Sequence, residues 1–187
     1  MKIITSTQQR VGSTLIANIN TGLFEPDKPV KWCGQLKDNQ HIIFQEERST
    51  FKYHSPLEDI KNFYNCEQHK DVYCVNICRD GTVRTQDISS DRYIVLEYEN
   101  ILYQSIHCDN TINSLDDVIA YVVNRYMAML GLNITTEMAW NAKQRVLDMD
   151  EMYDKIKNKP FAHVNEFYHI HGSHRDRGNI KSIHEPR

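Results

Sequence analysis

Ile3-Ile4-Thr5-Ser6-Thr7-Gln8-Gln9-Arg10-Val11-Gly12-Ser13-Thr14-Leu15 is the stretch on which the fold turns. A β-branched start over residues 2–6 gives way to a polar turn, Gln8 to Gly12, and the turn to a helical pattern from Ser13 to about Gly22. Strand, turn and helix in that order aim the free N–H groups of the helix start, and the positive end of its dipole, at one point. Such a junction suits a phosphate-like anion. Ser13 and Thr14 add hydroxyl donors, and Arg10 adds a planar cationic fork. The same residues also read as an ordinary capped helix after a strand. A Walker A loop is absent, because no Gly-Lys dipeptide occurs in the chain, and the G-x-G-x-x-G fingerprint is missing too.

Outward from this stretch, strands and helices alternate. Residues 49–53, 72–77 and 93–98 are β-prone. Ser55, with Pro56 next and acids at Glu58 and Asp59, reads as a helix start. Ser114 with Asp117 three positions on approximates a capping box. The apolar stripe from Leu115 through Val118, Ile119, Val122 and Tyr126 follows it, and Gly131 closes it. A second stripe, Ala139, Ala142, Val146, Met149, Tyr153 and Ile156, predicts a long helix that ends before Asn158 and Pro160. Residues 161–187, rich in His and Arg, read as a loop-like tail. The alternation predicts an α/β fold: one domain over 1–187, a mostly parallel sheet flanked by helices.

At 187 residues the chain is long enough to bury a core without disulfides or metals. A net charge of −3 argues against a general nucleic-acid binder. The longest apolar run, Val118 to Val123, is too short to cross a membrane. The first ten residues hold no secretory apolar segment, so a cytoplasmic location is expected. Five cysteines without a C-x-x-C pair point to reduced thiols.

Lys52-Tyr53-His54-Ser55-Pro56 lies where a strand should end, the edge at which open α/β sheets bind ligands. Alternation puts Lys52 and His54 on one side, and a histidine there can take a proton from an acceptor hydroxyl. A structural histidine is the alternative. Arg79, directly after the 72–77 strand, reads as a solvated turn residue or as an anion clamp on the same edge. The tail segment His169-Ile170-His171-Gly172-Ser173-His174-Arg175-Asp176-Arg177-Gly178 suits an anion better than a metal. Its H-x-H-x-x-H stretch, residues 169–174, contains no acidic or Cys residue, whereas Arg175 and Arg177 stand beside a glycine that permits close backbone approach.

Taken in order, these segments resemble the sulfotransferases that use 3′-phosphoadenosine 5′-phosphosulfate (PAPS). Gln9-Arg10-Val11-Gly12-Ser13-Thr14-Leu15 is similar to the family's P-K/R-S-G-T/S-T-W loop, departing at Gln9, Val11 and Leu15. Lys52-Tyr53-His54-Ser55-Pro56 is similar to its K-T/S-H-x-P motif, and Val95-Leu96-Glu97-Tyr98-Glu99-Asn100-Ile101-Leu102 to its v-l-x-Y-E-D-L segment. The resemblance implies a P-loop-like sulfotransferase fold. It implies that Arg10, Val11, Gly12, Ser13 and Thr14 cradle the 5′-phosphosulfate, with His54 as base and Lys52 and Arg10 assisting. Arg79 would begin the 3′-phosphate site. Its partner serine is expected eight residues later, but position 87 is Asp, leaving Ser89 or Ser90. Arg175 or Arg177 with Gly178 would close over the nucleotide from the 161–187 segment. It further implies PAPS as donor, a small-molecule or carbohydrate acceptor with a hydroxyl or amine, and no metal. Only 18 residues separate Arg79 from Tyr98, where the family usually builds its acceptor pocket. A catalytically inactive nucleotide-binding relative is therefore the alternative, with a P-loop-like phosphotransferase behind it.

Overall fold

A computed structural model describes residues 1–7, 12–64, 71–78, 92–101, 113–156 and 164–171. The first four strands are β1 (Lys2–Thr7), β2 (Thr50–His54), β3 (Val72–Cys78) and β4 (Tyr93–Glu97). They form one sheet in the order β2-β1-β3-β4, and every pairing in it is parallel. Because β1 lies between β2 and β3, the chain leaves β1 for one neighbour and later crosses to the other. A crevice opens at the carboxyl ends of strands at such a reversal.

Helices cover both faces, as a parallel sheet requires. On one side Ile3, Val75, Ile77, Ile94 and Leu96 pack with α1 (Ser13–Phe24), α6 (Leu115–Leu130) and α7 (Thr136–Ile156). On the other, Ile4, Phe51, Tyr53, Cys74, Tyr93 and Val95 pack with α2 (Leu36–Asn39), α3 (His41–Gln45) and α4 (Leu57–Tyr64). Among the described residues no helix is long and apolar enough to cross a membrane.

The turn of α1 against the sheet is fixed by buried polar groups. Asn20 Nδ2 donates to Thr5 Oγ1 at 3.0 Å, and the Tyr126 hydroxyl donates to Asn20 Oδ1 at 2.5 Å. The Thr50 N–H and hydroxyl both donate to Glu25 Oε2, at 3.1 and 2.8 Å. Satisfied networks of this kind specify one packing, because any slip leaves a buried group unpaired. Gly22 lets α1 meet α7 backbone to backbone: a methyl group there would stand 2.5 Å from Ala142 Cα. No side chain fits in that gap without moving one helix.

The α6 cap forms as the sequence predicts. Ser114 and Asp117 exchange both capping-box bonds, and Gly131 closes the helix with φ 61°. The helix start read at Ser55 and Pro56 holds, with α4 opening at Leu57 and Glu58 and Asp59 in its first turn, and the Ser55 hydroxyl accepts from the Leu36 N–H at 2.8 Å. Two readings are corrected. The strand expected to reach residue 98 stops at Glu97, and Tyr98 opens a helical turn, α5 (Tyr98–Ile101). The tail is not wholly loop-like. Val164–Asn165 (β5) and Ile170–His171 (β6) pair antiparallel around a turn in which the Asn165 side chain accepts from the Tyr168 N–H.

Candidate functional site

The carboxyl ends of β1 and β2 lie side by side, with Thr5 opposite Lys52 and Thr7 opposite His54. Gly12 follows as the N-cap of α1 in the left-handed region, φ 82°. Only glycine takes that conformation freely, and the space is tight as well, since a Cβ would lie 3.0 Å from Ile101 Cδ1. Having no side chain, Gly12 leaves the first turn of α1 without a side-chain cap. The N–H groups of that turn are thus presented at the sheet edge.

Two side chains of β2 reach this helix start from the face that the alternation predicts. Lys52 is 1% exposed, and its Nζ donates to Thr14 Oγ1 at 2.6 Å. His54 is half-buried, with Nε2 3.5 Å from Ser13 Oγ. Its Nδ1 is buried without a hydrogen-bond partner among the described residues. Burial pulls the Lys52 pKa down to about 7. Burial first, and the charge of Lys52 second, pull His54 down to about 4. At neutral pH the imidazole is therefore neutral and able to accept a proton, while the ammonium beside it lacks the stabilisation that an anion would bring.

Gly12, Ser13, Thr14, Lys52 and His54 are thus brought together. Arg10, Val11, Arg79, Ser89, Arg175, Arg177 and Gly178 lie outside the described residues. The turn Tyr98–Ile101, singled out in the sequence for its motif, supplies the wall against Gly12. Sequence reasoning did not single out Trp32, whose ring lies 4.7 Å from that of His54. It also missed Asn18 and Arg145, which tie the β5–β6 hairpin to α1. Each of these acts across more than a hundred residues or from an irregular segment, where periodicity carries no signal.

No family model matches this chain, and no curated protein matches it. Fold and geometry define a class: an α/β protein that sets a helix start, a buried lysine and a neutral histidine at the carboxyl edge of a parallel sheet.

Lys52 makes a prediction of its own. Its unfolded pKa is about 10.4, so between about 7 and that value the folded chain binds fewer protons than the unfolded one. Unliganded stability should therefore gain from this group as pH rises through that window. An anion bound beside it should restore the proton. If that anion is 3′,5′-adenosine bisphosphate, as the resemblance implies, calorimetry at pH 8 in buffers of different ionisation enthalpy should show uptake approaching about one proton on binding, and no uptake in Lys52→Met. Equal uptake in the two proteins would assign the proton to another group.

Proposed function

We propose that this chain is a PAPS-dependent sulfotransferase of the P-loop-like type, moving a sulfonyl group to a hydroxyl or amine of a small-molecule or carbohydrate acceptor. The observation that carries the reading is the convergence of Lys52 and His54 on Thr14 and Ser13 at a glycine-opened helix start. A buried ammonium there favours an anionic ligand, and a neutral imidazole next to it favours a reaction that begins by removing a proton.

In this reading the 5′-phosphosulfate lies against the first turn of α1, with Ser13 and Thr14 as donors. His54 Nε2 takes the acceptor proton as the acceptor oxygen or nitrogen bonds to sulfur. The bond between sulfur and the bridging oxygen breaks, and its electron pair leaves on 3′,5′-adenosine bisphosphate. Lys52 stabilises the charge growing on that bridging oxygen, in a buried setting where such stabilisation is large. The donor's negative charge also offsets Lys52, removing one of the two causes that hold His54 low, so the imidazole becomes a better base once the donor is bound.

The 3′-phosphate falls to Arg79 and a tail arginine, Arg175 or Arg177. The bisphosphate is therefore expected to bind more tightly than AMP, which lacks that phosphate, and than ATP, whose extra charge lies at the other end of the ribose. A charge-assisted hydrogen bond is worth about 1.5–3 kcal/mol, so the difference should be roughly ten- to a hundredfold. Thermal shifts at equal concentration will report it. Arg79→Ala should bring the bisphosphate down to AMP and leave AMP unchanged. Equal binding of AMP and bisphosphate, or tightest binding of ATP with magnesium, would overturn the assignment.

A further inference from the structure

The histidine at this site has almost nothing to hold its ring by hydrogen bonding. Among the described residues Nδ1 has no hydrogen-bond partner, and Nε2 has the long 3.5 Å contact with Ser13. A general base usually owes its orientation to a group behind it. The structure offers an aromatic ring in that place. Residues 31–34 run beside the edge strand β2: the Lys52 N–H donates to Lys31 O, the Cys33 N–H to Lys52 O, and the His54 N–H to Gly34 O, at 2.8–2.9 Å. Trp32 pairs with Lys52 in a parallel bridge, so its side chain shares the face of Lys52 and His54. The indole meets His54 edge to face, at 4.7 Å and 80°. Lys52 Nζ lies 5.6 Å from the indole centroid.

The indole is itself backed. The His169 ring stacks on it at 5.1 Å and 21°. His169 adopts φ 52°, a left-handed conformation that non-glycine residues seldom take. Its neighbours are bolted down: Asn18 Nδ2 donates to Tyr168 O at 2.9 Å, Arg145 to Phe167 O at 3.0 Å, and the Val30 N–H to Phe167 O at 2.9 Å. The whole hairpin turn thus presses one ring onto the next.

We propose that Trp32, buttressed by His169, is the positioning residue that holds the His54 imidazole toward Ser13 and the acceptor. This rests on the reading of His54 as the base. The same stack keeps water from His54, in line with the burial that lowers its pKa. Burial and the charge of Lys52 on β2 bear on its titration, and Ser13 on α1 lies 3.5 Å from Nε2.

Imidazole ¹⁵N shifts of the full chain, followed against pH, test this without any turnover. Trp32 is 39% exposed, so its variants should fold, and a melt will verify it. In Trp32→Ala the His54 pKa is expected to climb by about one unit or more as water reaches the ring. Trp32→Phe should restore the low value, and His169→Ala should fall between. In the PAPS assay Trp32→Ala should lower kcat by about ten- to a hundredfold, the cost of a misplacement near 1 Å, with the donor KM little changed. A His54 titration unmoved by Trp32→Ala, or not restored by phenylalanine, overturns the proposal. Absence of sulfonyl transfer by the unmodified chain would instead overturn the functional reading, and the titration would still decide whether Trp32 holds the ring.

Discussion

His54→Ala is expected to lower sulfonyl transfer by about 10²–10⁴-fold, the usual contribution of a general base, while bisphosphate affinity stays nearly intact. The imidazole faces Ser13, whereas in the proposed reading the anion contacts would belong to Lys52, Thr14 and the helix start. The pH profile sharpens this expectation. The base must be neutral and Lys52 charged, so kcat/KM, which reports the free protein, should be bell-shaped with limbs near 4 and near 7. The sign on each side follows from the group: activity is lost as pH falls through the His54 value and as it rises through the Lys52 value. With the donor bound, its charge should carry both limbs upward in kcat. In His54→Ala the acid limb should vanish. Unchanged turnover in that variant would make His54 structural.

The largest effect on stability is expected at Arg145. It is 4% exposed on α7, and its guanidinium donates to uncharged acceptors. Nε donates to Asn18 Oδ1 at 3.1 Å, and the two terminal nitrogens donate to the carbonyls of Pro26 and Phe167 at 3.0 Å. Its plane also lies 4.5 Å from the Phe167 ring. One side chain therefore joins α1, the chain leaving α1, α7 and the β5–β6 turn. Arg145→Leu leaves the buried Asn18 Oδ1 and the Pro26 carbonyl without this donor, while the Phe167 carbonyl keeps the Val30 N–H. At about 1–3 kcal/mol for a buried group left unsatisfied, with the packing of the guanidinium on Phe167 lost as well, a loss on the order of 2–4 kcal/mol is expected in denaturant unfolding. Arg145→Lys should recover little, because one ammonium cannot span three acceptors held by a planar fork. A loss below about 1 kcal/mol, typical of an ordinary substitution, would show that the hairpin is held by other contacts.

Arg145 also marks the limit of what the sequence discloses. Its neighbours Ala142, Val146 and Met149 form the apolar stripe that betrays α7, but the guanidinium at 145 sits inside the same buried seam, where an apolar pattern has no place for it. The strands β1 to β4 were legible as short β-prone runs and the helices α6 and α7 as apolar stripes of helical period, and the capping residues Ser114 and Gly131 act on their own neighbours. The joining of Ser13 and Thr14 to His54 and Lys52 was legible too, since two parallel strands ending on one edge must bring their following residues together. Trp32 was not. Its contact with His54 depends on an irregular segment laid along β2, and such a pairing leaves no period in the sequence. The polar face of α1 was hidden for a related reason: Asn18, Asn20, Thr21 and Glu25 are buried, and their partners come from β1, β2, α6, α7 and the hairpin.

The central claim is group transfer, and the most direct test supplies the donor. The desalted chain, in the presence of a chelator, would be given PAPS with a panel of phenolic, carbohydrate and amine acceptors, and both products would be followed. The expected result is a sulfated acceptor formed one for one with 3′,5′-adenosine bisphosphate, at a rate the chelator does not change. A chain that binds the bisphosphate yet sulfates nothing would be the inactive relative. Turnover that needs ATP and magnesium would contradict the account outright.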